Sequence, residues 1–259
     1  MTFDEYCAID ALNWSKFKRI DESPLSFRWH ADNSTESTTG QLMGRELHAL
    51  VLTPDDTEAV VIWNGERRAG KDWEEFKAHH KGRHILKATE YDLVRRKADA
   101  VLAHPVVRDL LAFGNPEVTR TWERDGVLCK GRLDLSSPGV IVDLKGAGPL
   151  STLERVAIGQ KWHRQLEWYR YSDPDAECYI IAVEDKAPHD VGVWRLSPLL
   201  LDAARRANDL ALEVYRRCVE SGTWPGRMPD VVEMACPAWL LDDDANIDIP
   251  EEGLELSDD

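Results

Sequence analysis

Paired cysteines, long apolar runs and a signal-peptide pattern are all missing from this sequence of 259 residues. Its five cysteines include no pair at Cys-x-x-Cys spacing, which argues against a disulfide framework and against zinc or iron–sulfur clusters. No apolar run approaches the roughly 18 residues of a membrane helix, and the first residues lack the basic and then apolar build of a secretory signal. We therefore expect a reduced, cytoplasmic protein with no membrane partner.

Basic residues are missing from the C-terminal end. No Lys or Arg follows Arg227, whereas that stretch carries 11 Asp and Glu residues. Residues 1–227 hold 36 acidic and 32 basic side chains, so most of the formal net charge of -15 comes from the tail. The overall charge argues against a protein that coats nucleic acid by bulk charge, but the nearly neutral body leaves room for local cationic surfaces.

The composition of the body is that of a packed domain, with 43% apolar residues and 10 tryptophans. We predict that residues 1–228 form this domain and that residues 229–259 form a separate C-terminal segment. Residues 242–259 contain nine acids, no bases and few large apolar groups, so we expect this acidic end to be disordered.

Hydrophobic periodicity predicts an α/β or α+β domain in which helices precede a meander of strands, and a helix, two strands and a long helix follow. The residues around 30–40 are polar and predict a loop. The predicted helices cover about 4–20, 41–52, 73–80, 89–103, 151–171 and 198–221. The predicted strands cover about 60–63, 117–123, 127–135, 140–145, 178–183 and 191–196.

The hairpin formed by the second and third strands of the meander carries the strongest chemical pattern. A turn over residues 136–139 would pair Leu135 with Val140 and place Asp134, Asp143 and Lys145 on one face. The opposite face would be apolar core, formed by Leu133, Leu135, Val140, Val142 and Leu144. Two neighbouring carboxylates suit Mg²⁺, and an adjacent lysine suits phosphate chemistry. An edge hairpin with surface ion pairs is the alternative that this pattern alone leaves open.

Two helices add weaker signals. Gly44 precedes His48 by one helical turn and would leave space beside the imidazole. On a later helix, Lys161, Gln165 and Tyr169 follow one another at four-residue spacing. Each pattern also suits an ordinary structural role, either a hydrogen-bonded histidine or a polar helix flank.

Four short motifs nevertheless occur in a fixed order: Gly44-x-x-x-His48, Gly131-Arg132-Leu133-Asp134, Ile141-Val142-Asp143-Leu144-Lys145 and Gln165-x-x-x-Tyr169. Together they resemble the RecB-type nucleases of the PD-(D/E)xK superfamily, in particular the nuclease domain of phage and prophage exodeoxyribonuclease VIII, the RecE type. The resemblance spans roughly residues 6–228. It implies a restriction-endonuclease-like core with a central mixed β-sheet flanked by helices.

The resemblance also implies an activity, namely Mg²⁺-dependent exonucleolytic hydrolysis of linear duplex DNA in phage-type recombination, with Mn²⁺ expected to substitute. The implied metal ligands are His48, Asp134, Asp143, the backbone carbonyl of Leu144 and Glu117. Lys145 is the implied catalytic lysine, and Gln165 and Tyr169 support the site and contact DNA. The residues expected to bind DNA are Arg67, Arg68 and Lys71 in a basic loop, together with Arg132 and Lys161.

One departure from the family pattern keeps other functions open. Gly146 and Ala147 stand where the family usually has two threonines, so an alternative is a DNA-binding recombination accessory protein that has lost turnover. A metal-dependent hydrolase of another substrate is a third possibility, which the acidic composition favours. The implied partners are a single-strand annealing protein and further copies of this chain in a ring.

Deletion of residues 242–259 tests the role of the acidic tail. We expect the melting temperature to stay nearly unchanged, because the segment has little apolar surface to bury. If the tail competes with DNA for the cationic surface, its deletion raises DNA affinity at low salt and not at high salt, where the Debye length is well under about 10 Å. If the tail only aids solubility, its deletion leaves the DNA affinity unchanged at low and at high salt. A large fall in melting temperature on deletion would show that the tail packs against the rest of the protein.

Overall fold

A six-stranded mixed β-sheet forms the centre of the computed structural model, which describes residues 1–33, 37–54, 60–228 and 230–237. Helices flank the sheet, so the predicted fold class is confirmed. The six strands are β1 (Leu12–Asn13), β4 (Asn115–Arg124), β5 (Val127–Ser137), β6 (Val140–Ala147), β7 (Glu177–Glu184) and β8 (Val191–Arg195). Two further strands, β2 (Val60–Trp63) and β3 (His84–Lys87), pair in parallel as a separate small sheet.

The described helices are α1 (Phe3–Ala8), α2 (Trp14–Phe17), α3 (Pro24–Asp32), α4 (Thr39–Leu52), α5 (Lys71–His79), α6 (Ala88–Ala103), α7 (Pro105–Phe113), α8 (Leu153–Gly159), α9 (Trp162–Arg170) and α10 (Pro198–Ser221). Short 3₁₀ turns cover Lys18–Asp21 and Leu150–Thr152. The sequence did not indicate α7, in which Pro105 occupies the first turn, a position where its missing N–H is harmless. No helix among the described residues is long and apolar enough to cross a membrane.

Two predicted helices are interrupted in the structure. The helix predicted over 4–20 gives way to β1, because Leu12 and Asn13 pair in parallel with β5. The Asn13 side chain then caps α2 by accepting a hydrogen bond from the Lys16 N–H at 3.0 Å. The helix predicted over 151–171 breaks at Lys161, whose φ of 62° is left-handed and ends the helical run between α8 and α9.

Strand β5 has a gap along one of its edges. On one side it pairs with β4 from Val127 to Ser136. On the other side β1 pairs only at residues 129–130, and β6 pairs only at residues 135–137. Residues 131–134 therefore face an opening between β1 and β6, and the candidate active site lies in that opening.

The hairpin between β5 and β6 is tighter than the predicted four-residue turn. Ser137 pairs with Val140 and Leu135 with Val142, so the loop contains only residues 138–139. The register differs from the predicted one by two residues, an even shift that keeps Asp143 and Lys145 on the same face of β6. The pairing ends at Leu135, and the next residue, Asp134, instead accepts a hydrogen bond from the backbone of Leu144.

Both faces of β6 are buried, which corrects the prediction of one apolar and one polar face. Ile141 packs in a core cluster with Trp168 on one side of the sheet, whereas Val142 packs in a second cluster on the other side. Leu133 belongs to the first cluster and Leu135 to the second, so the two-residue alternation along β5 is interrupted at Asp134. The acidic side chains consequently lie in a largely apolar environment.

A buried ionic network holds α9 against the sheet and against α10. Arg124, which is fully buried, donates to both carboxylate oxygens of Glu167 at 3.1 and 3.2 Å and to Asp209 at 2.7 Å. Asn208 also donates to Glu167 and accepts from Arg164 at 2.7 Å. Movement of α9 would separate these partners and leave a buried charge uncompensated, which is strongly destabilising. The network therefore fixes the position of α9.

Gly131 provides a test of how closely α9 approaches the sheet. A Cβ at this position would lie 2.6 Å from two ring carbons of Tyr169 and 3.2 Å from Trp122. Gly131→Ala should therefore lower the free energy of unfolding by about 1–3 kcal/mol in urea denaturation, the usual effect of overpacking a core. Gly148→Ala is the control, since a Cβ there meets nothing within 4 Å. Equal stability of the two variants would contradict the close packing of Tyr169.

Candidate active site

Asp134 lies at the point where β5 and β6 separate. Its Oδ2 accepts a hydrogen bond from the backbone N–H of Leu144 at 2.7 Å, so the side chain takes the place of the missing strand-to-strand bond. Burial by itself would raise the pKa of Asp134, but His48, Lys145 and the Leu144 N–H outweigh burial and lower the pKa to about 2. Asp134 is therefore a carboxylate at neutral pH.

His48 reaches the same point from α4. Its Nε2 lies 2.8 Å from the carbonyl oxygen of Leu144, which can only accept, so Nε2 carries a hydrogen. Its Nδ1 lies 3.4 Å from Oδ1 of Asp134. Burial opposes protonation of the ring, but the Asp134 carboxylate, with a smaller effect from Asp143, raises the pKa of His48 above its ordinary value. A Cβ at Gly44 would meet nothing within 4 Å, which agrees with the space expected beside the imidazole.

Asp143 and Lys145 form an ion pair on β6. Lys145 Nζ lies 2.6 Å from Oδ2 of Asp143, although it is not aligned for a hydrogen bond, and Asp143 is only 1% exposed. Burial raises the pKa of Asp143 to about 6, against the opposing effect of Lys145 and with a further increase from Asp134. Burial lowers the pKa of Lys145, but the two carboxylates outweigh burial and raise it overall.

Gln165 and Tyr169 are placed beside these groups by α9. Gln165 Nε2 donates to the Tyr169 hydroxyl at 3.0 Å, as their four-residue spacing suggests. Burial and the neighbouring Asp143 raise the pKa of Tyr169 well above its usual range, so its hydroxyl stays protonated and can donate. His48, Asp134, Asp143 and Lys145 thus meet around Leu144, and the electrostatic effect of Asp143 on Tyr169 places the pair of Gln165 and Tyr169 near them.

The donor atoms of this site are of the type that binds a hard divalent cation, but their arrangement is incomplete. Two carboxylates and a backbone carbonyl are oxygen ligands of the kind that Mg²⁺ prefers. Both oxygens of Asp143 are buried and accept no hydrogen bond from the residues described in the structure. Across the same residues, however, no group of three or more His, Cys, Asp or Glu residues is arranged so that it could hold a metal ion. The donor chemistry fits, but the full set of side-chain ligands is not assembled.

Glu117, the additional predicted ligand, is engaged elsewhere. It lies on β4 across from Asp134, with a left-handed φ of 53°. Its carboxylate accepts a hydrogen bond from Nε of Arg132, one of the residues expected to bind DNA. The guanidinium of Arg132 also lies 5.5 Å from the ring centroid of Phe3.

The residues of the predicted basic loop are not equivalent. Arg68 donates to both carboxylate oxygens of Glu90, to the Thr39 hydroxyl and to the Ile85 carbonyl, so it ties the loop to α4, β3 and α6. Arg67 is exposed, and Lys71 has a side chain that is 86% exposed and lies 3.5 Å from Glu75. Arg67 and Lys71 are therefore the predicted DNA-binding residues of this loop whose side chains face solvent.

Lys161, also expected to bind DNA, lies outside the helix that carries Gln165. Its Nζ donates to Asp21 at 2.6 Å and to the Lys18 carbonyl at 3.4 Å. The next residue, Trp162, places its ring 5.9 Å from Lys145 Nζ. The sequence pattern does not indicate that Trp162 lies beside Lys145, because its position depends on the helix break at Lys161.

Lys97 fills the space beside Gly146, where the sequence resemblance leads us to expect a threonine. A Cβ at Gly146 would lie 2.7 Å from Lys97 Nζ, which pairs with Asp185 at 2.5 Å. The sequence contains a signal for this lysine, since Lys97 stands on the buried stripe of α6 between Val94 and Val101. A lysine at such a position requires a specific partner.

Residues 13–233 match the family described as "PDDEXK-like domain of unknown function (DUF3799)", and the chain belongs to this family. No curated protein matches the sequence. Among solved structures, the fold is similar to that of a Eubacterium rectale protein assigned as an exonuclease, with a TM-score of 0.66, 12% identity and coverage of 94% of this chain and 98% of the other. A phage-related exonuclease from Haemophilus somnus 129PT matches with a TM-score of 0.39, 12% identity and coverage of 85% and 100%.

The raised pKa of Asp143 predicts a specific dependence of stability on pH. Folded protein binds the Asp143 proton more tightly than unfolded protein, in which the pKa is about 3.9. In EDTA, the wild type should therefore lose stability relative to Asp143→Asn as pH rises from about 4 to about 6, with no further loss above that range. Urea denaturation at several pH values measures the difference. Asp202→Asn, at an exposed position on α10, should show no such trend, and a flat difference for Asp143→Asn would contradict the assignment.

Proposed function

We propose that this protein is a Mg²⁺-dependent nuclease that hydrolyses phosphodiester bonds of linear duplex DNA as an exonuclease, with Mn²⁺ able to substitute for Mg²⁺. The observation that carries the proposal is the pair of buried carboxylates, Asp134 and Asp143, beside Lys145 in the opening of the sheet. Membership of the PDDEXK-like family and the fold shared with the Eubacterium rectale protein support it.

Asp134, Asp143 and the Leu144 carbonyl are the groups that would hold the cation. When bound, the cation supplies positive charge that stabilises the negative charge developing on phosphate oxygens. His48 hydrogen-bonds the same carbonyl through Nε2 and faces Asp134 with Nδ1, so Nδ1 in its unprotonated form is the ring atom that could act as a ligand. Its role in this arrangement is to orient the carbonyl and the carboxylate.

Lys145 is proposed to act on the phosphate and its attacking water. Its ammonium is fixed by Asp143 on one side and by the Trp162 ring on the other. A fixed cation in a poorly hydrated site stabilises a phosphorane-like transition state more strongly than a solvated one does. The protonated hydroxyl of Tyr169, oriented by Gln165, is a donor for a neighbouring phosphate oxygen.

A DNA-binding accessory protein without turnover is the second candidate. The observation that favours it is Lys97, whose ammonium fills the space of the first missing threonine, so no hydroxyl is available there for phosphate. The RecE type, a role in phage recombination, a single-strand annealing partner and a ring of several copies are further proposals that rest on the sequence motifs.

Cleavage of end-labelled linear duplex with Mg²⁺ or with EDTA separates the two candidates. We expect Mg²⁺-dependent release of mononucleotides by the wild type, none by Asp143→Asn, and a loss of about 100-fold or more for Lys145→Ala. The control Asp202→Asn should keep the wild-type rate. Binding of duplex without cleavage would support the accessory protein, and a rate for Lys145→Ala within about tenfold of wild type, or 1.4 kcal/mol, would exclude a catalytic role for this lysine.

The exposed cations of the basic loop predict a contribution to DNA binding. Reversal of both Arg67 and Lys71 to Glu should weaken duplex binding and flatten the plot of log affinity against log salt. Arg68 is left intact, because its loss would release Glu90 inside the protein. Reversal of Arg206 and Arg216, both exposed on α10, provides a control with the same change in net charge. An equal effect of the two double variants would show that only the overall charge matters.

A further inference from the structure

Lys18 is a partly buried lysine next to the candidate active site, and none of the sequence motifs includes it. It begins the 3₁₀ turn Lys18–Asp21, and its backbone carbonyl accepts the hydrogen bond from Lys161 at 3.4 Å. Lys161 is followed directly by Trp162, whose ring faces the Lys145 ammonium at 5.9 Å. The turn therefore adjoins the same helix break that borders the active-site lysine.

The surroundings of Lys18 are rich in positive charge. Burial lowers the pKa of Lys18, and the cations of Arg19, Lys145 and Lys161 lower it further, whereas Glu22 has a weaker, opposite effect. The hydrogen bond from Lys161 to the Lys18 carbonyl and the Trp162 ring beside Lys145 place these cations in one region of a protein whose formal net charge is -15.

These four cations differ in their partners. The other three each lie 2.6 Å from a carboxylate oxygen, in the pairs Arg19–Glu22, Lys145–Asp143 and Lys161–Asp21. The ammonium of Lys18 makes no hydrogen bond or ion pair with the residues that the structure describes. Lys18 is therefore the member of this group whose ammonium has no carboxylate partner among the described residues.

A partly buried cation among other cations is unfavourable for the free protein, because desolvation and repulsion both oppose its charge. An anion brought by a ligand would reverse both effects, and phosphodiester oxygens supply such an anion close to Lys145. We propose that Lys18 binds a backbone phosphate of the substrate next to the phosphate that is cleaved at Lys145. This phosphate subsite rests on the proposed nuclease function.

Salt-dependent binding of a short duplex in EDTA tests the subsite without cleavage. Lys18→Met should weaken binding by roughly three- to tenfold near 0.1 M salt and reduce the slope of log affinity against log salt by about one, the effect of one lost phosphate contact. Lys18→Arg should keep both values, since it retains the cation. Arg206→Met removes one exposed positive charge from α10 and should leave both values unchanged.

The melting temperature of the free protein separates binding from a structural role. Lys18→Met should melt at the same temperature as the wild type or higher, because it removes a repulsive charge. A lower melting temperature together with weaker binding would make Lys18 a structural residue and overturn the proposal. Unchanged binding by Lys18→Met, or equal losses in Lys18→Met and Arg206→Met, would also overturn it. A wild-type protein that binds no duplex would instead overturn the proposed function itself, and the subsite with it.

Discussion

The hydrogen bond from the Leu144 N–H to the Asp134 carboxylate determines how the rest of the site is built. It replaces the strand-to-strand bond at the place where β5 and β6 separate, so the sheet can open without leaving a buried N–H unsatisfied. The same opening exposes the Leu144 carbonyl to His48, on the strand that also carries the ion pair of Asp143 and Lys145. A single carboxylate thus acts as a backbone partner and as one of the two acidic groups of the site.

The sequence was sufficient to predict the elements that obey simple periodicity. The two-residue period of β6 placed Asp143 and Lys145 on one face, and an error of two residues in the register did not alter this. The sequence could not reveal that both faces of β6 are buried, because Ile141 is covered by helices far away in the chain. The break at Lys161 was missed because a left-handed residue other than glycine has no sequence signature.

The contacts of charged residues were the hardest feature to predict from the sequence, since they depend on partners that are distant in the chain. Arg68 looks like a solvated loop cation, but it is 22 residues from Glu90 and bound to it. Lys161 and Arg164 share the single carboxylate of Asp21, more than 100 residues away. In each case the residue type gave the charge, and the tertiary fold decided which carboxylate that charge is paired with.

The replacement of two threonines by Gly146 and Ala147 is compensated by packing. Ala147 is buried in the core cluster that also contains Trp168, and the space beside Gly146 is taken by the Lys97 ammonium. Where the sequence resemblance leads us to expect two hydroxyls, this chain has an apolar group and a cation. A cation remains attractive to phosphate, but it is paired with Asp185 and must exchange that partner before it can bind an anion. These two positions therefore carry no hydroxyl group, and the cation beside them is held by a carboxylate.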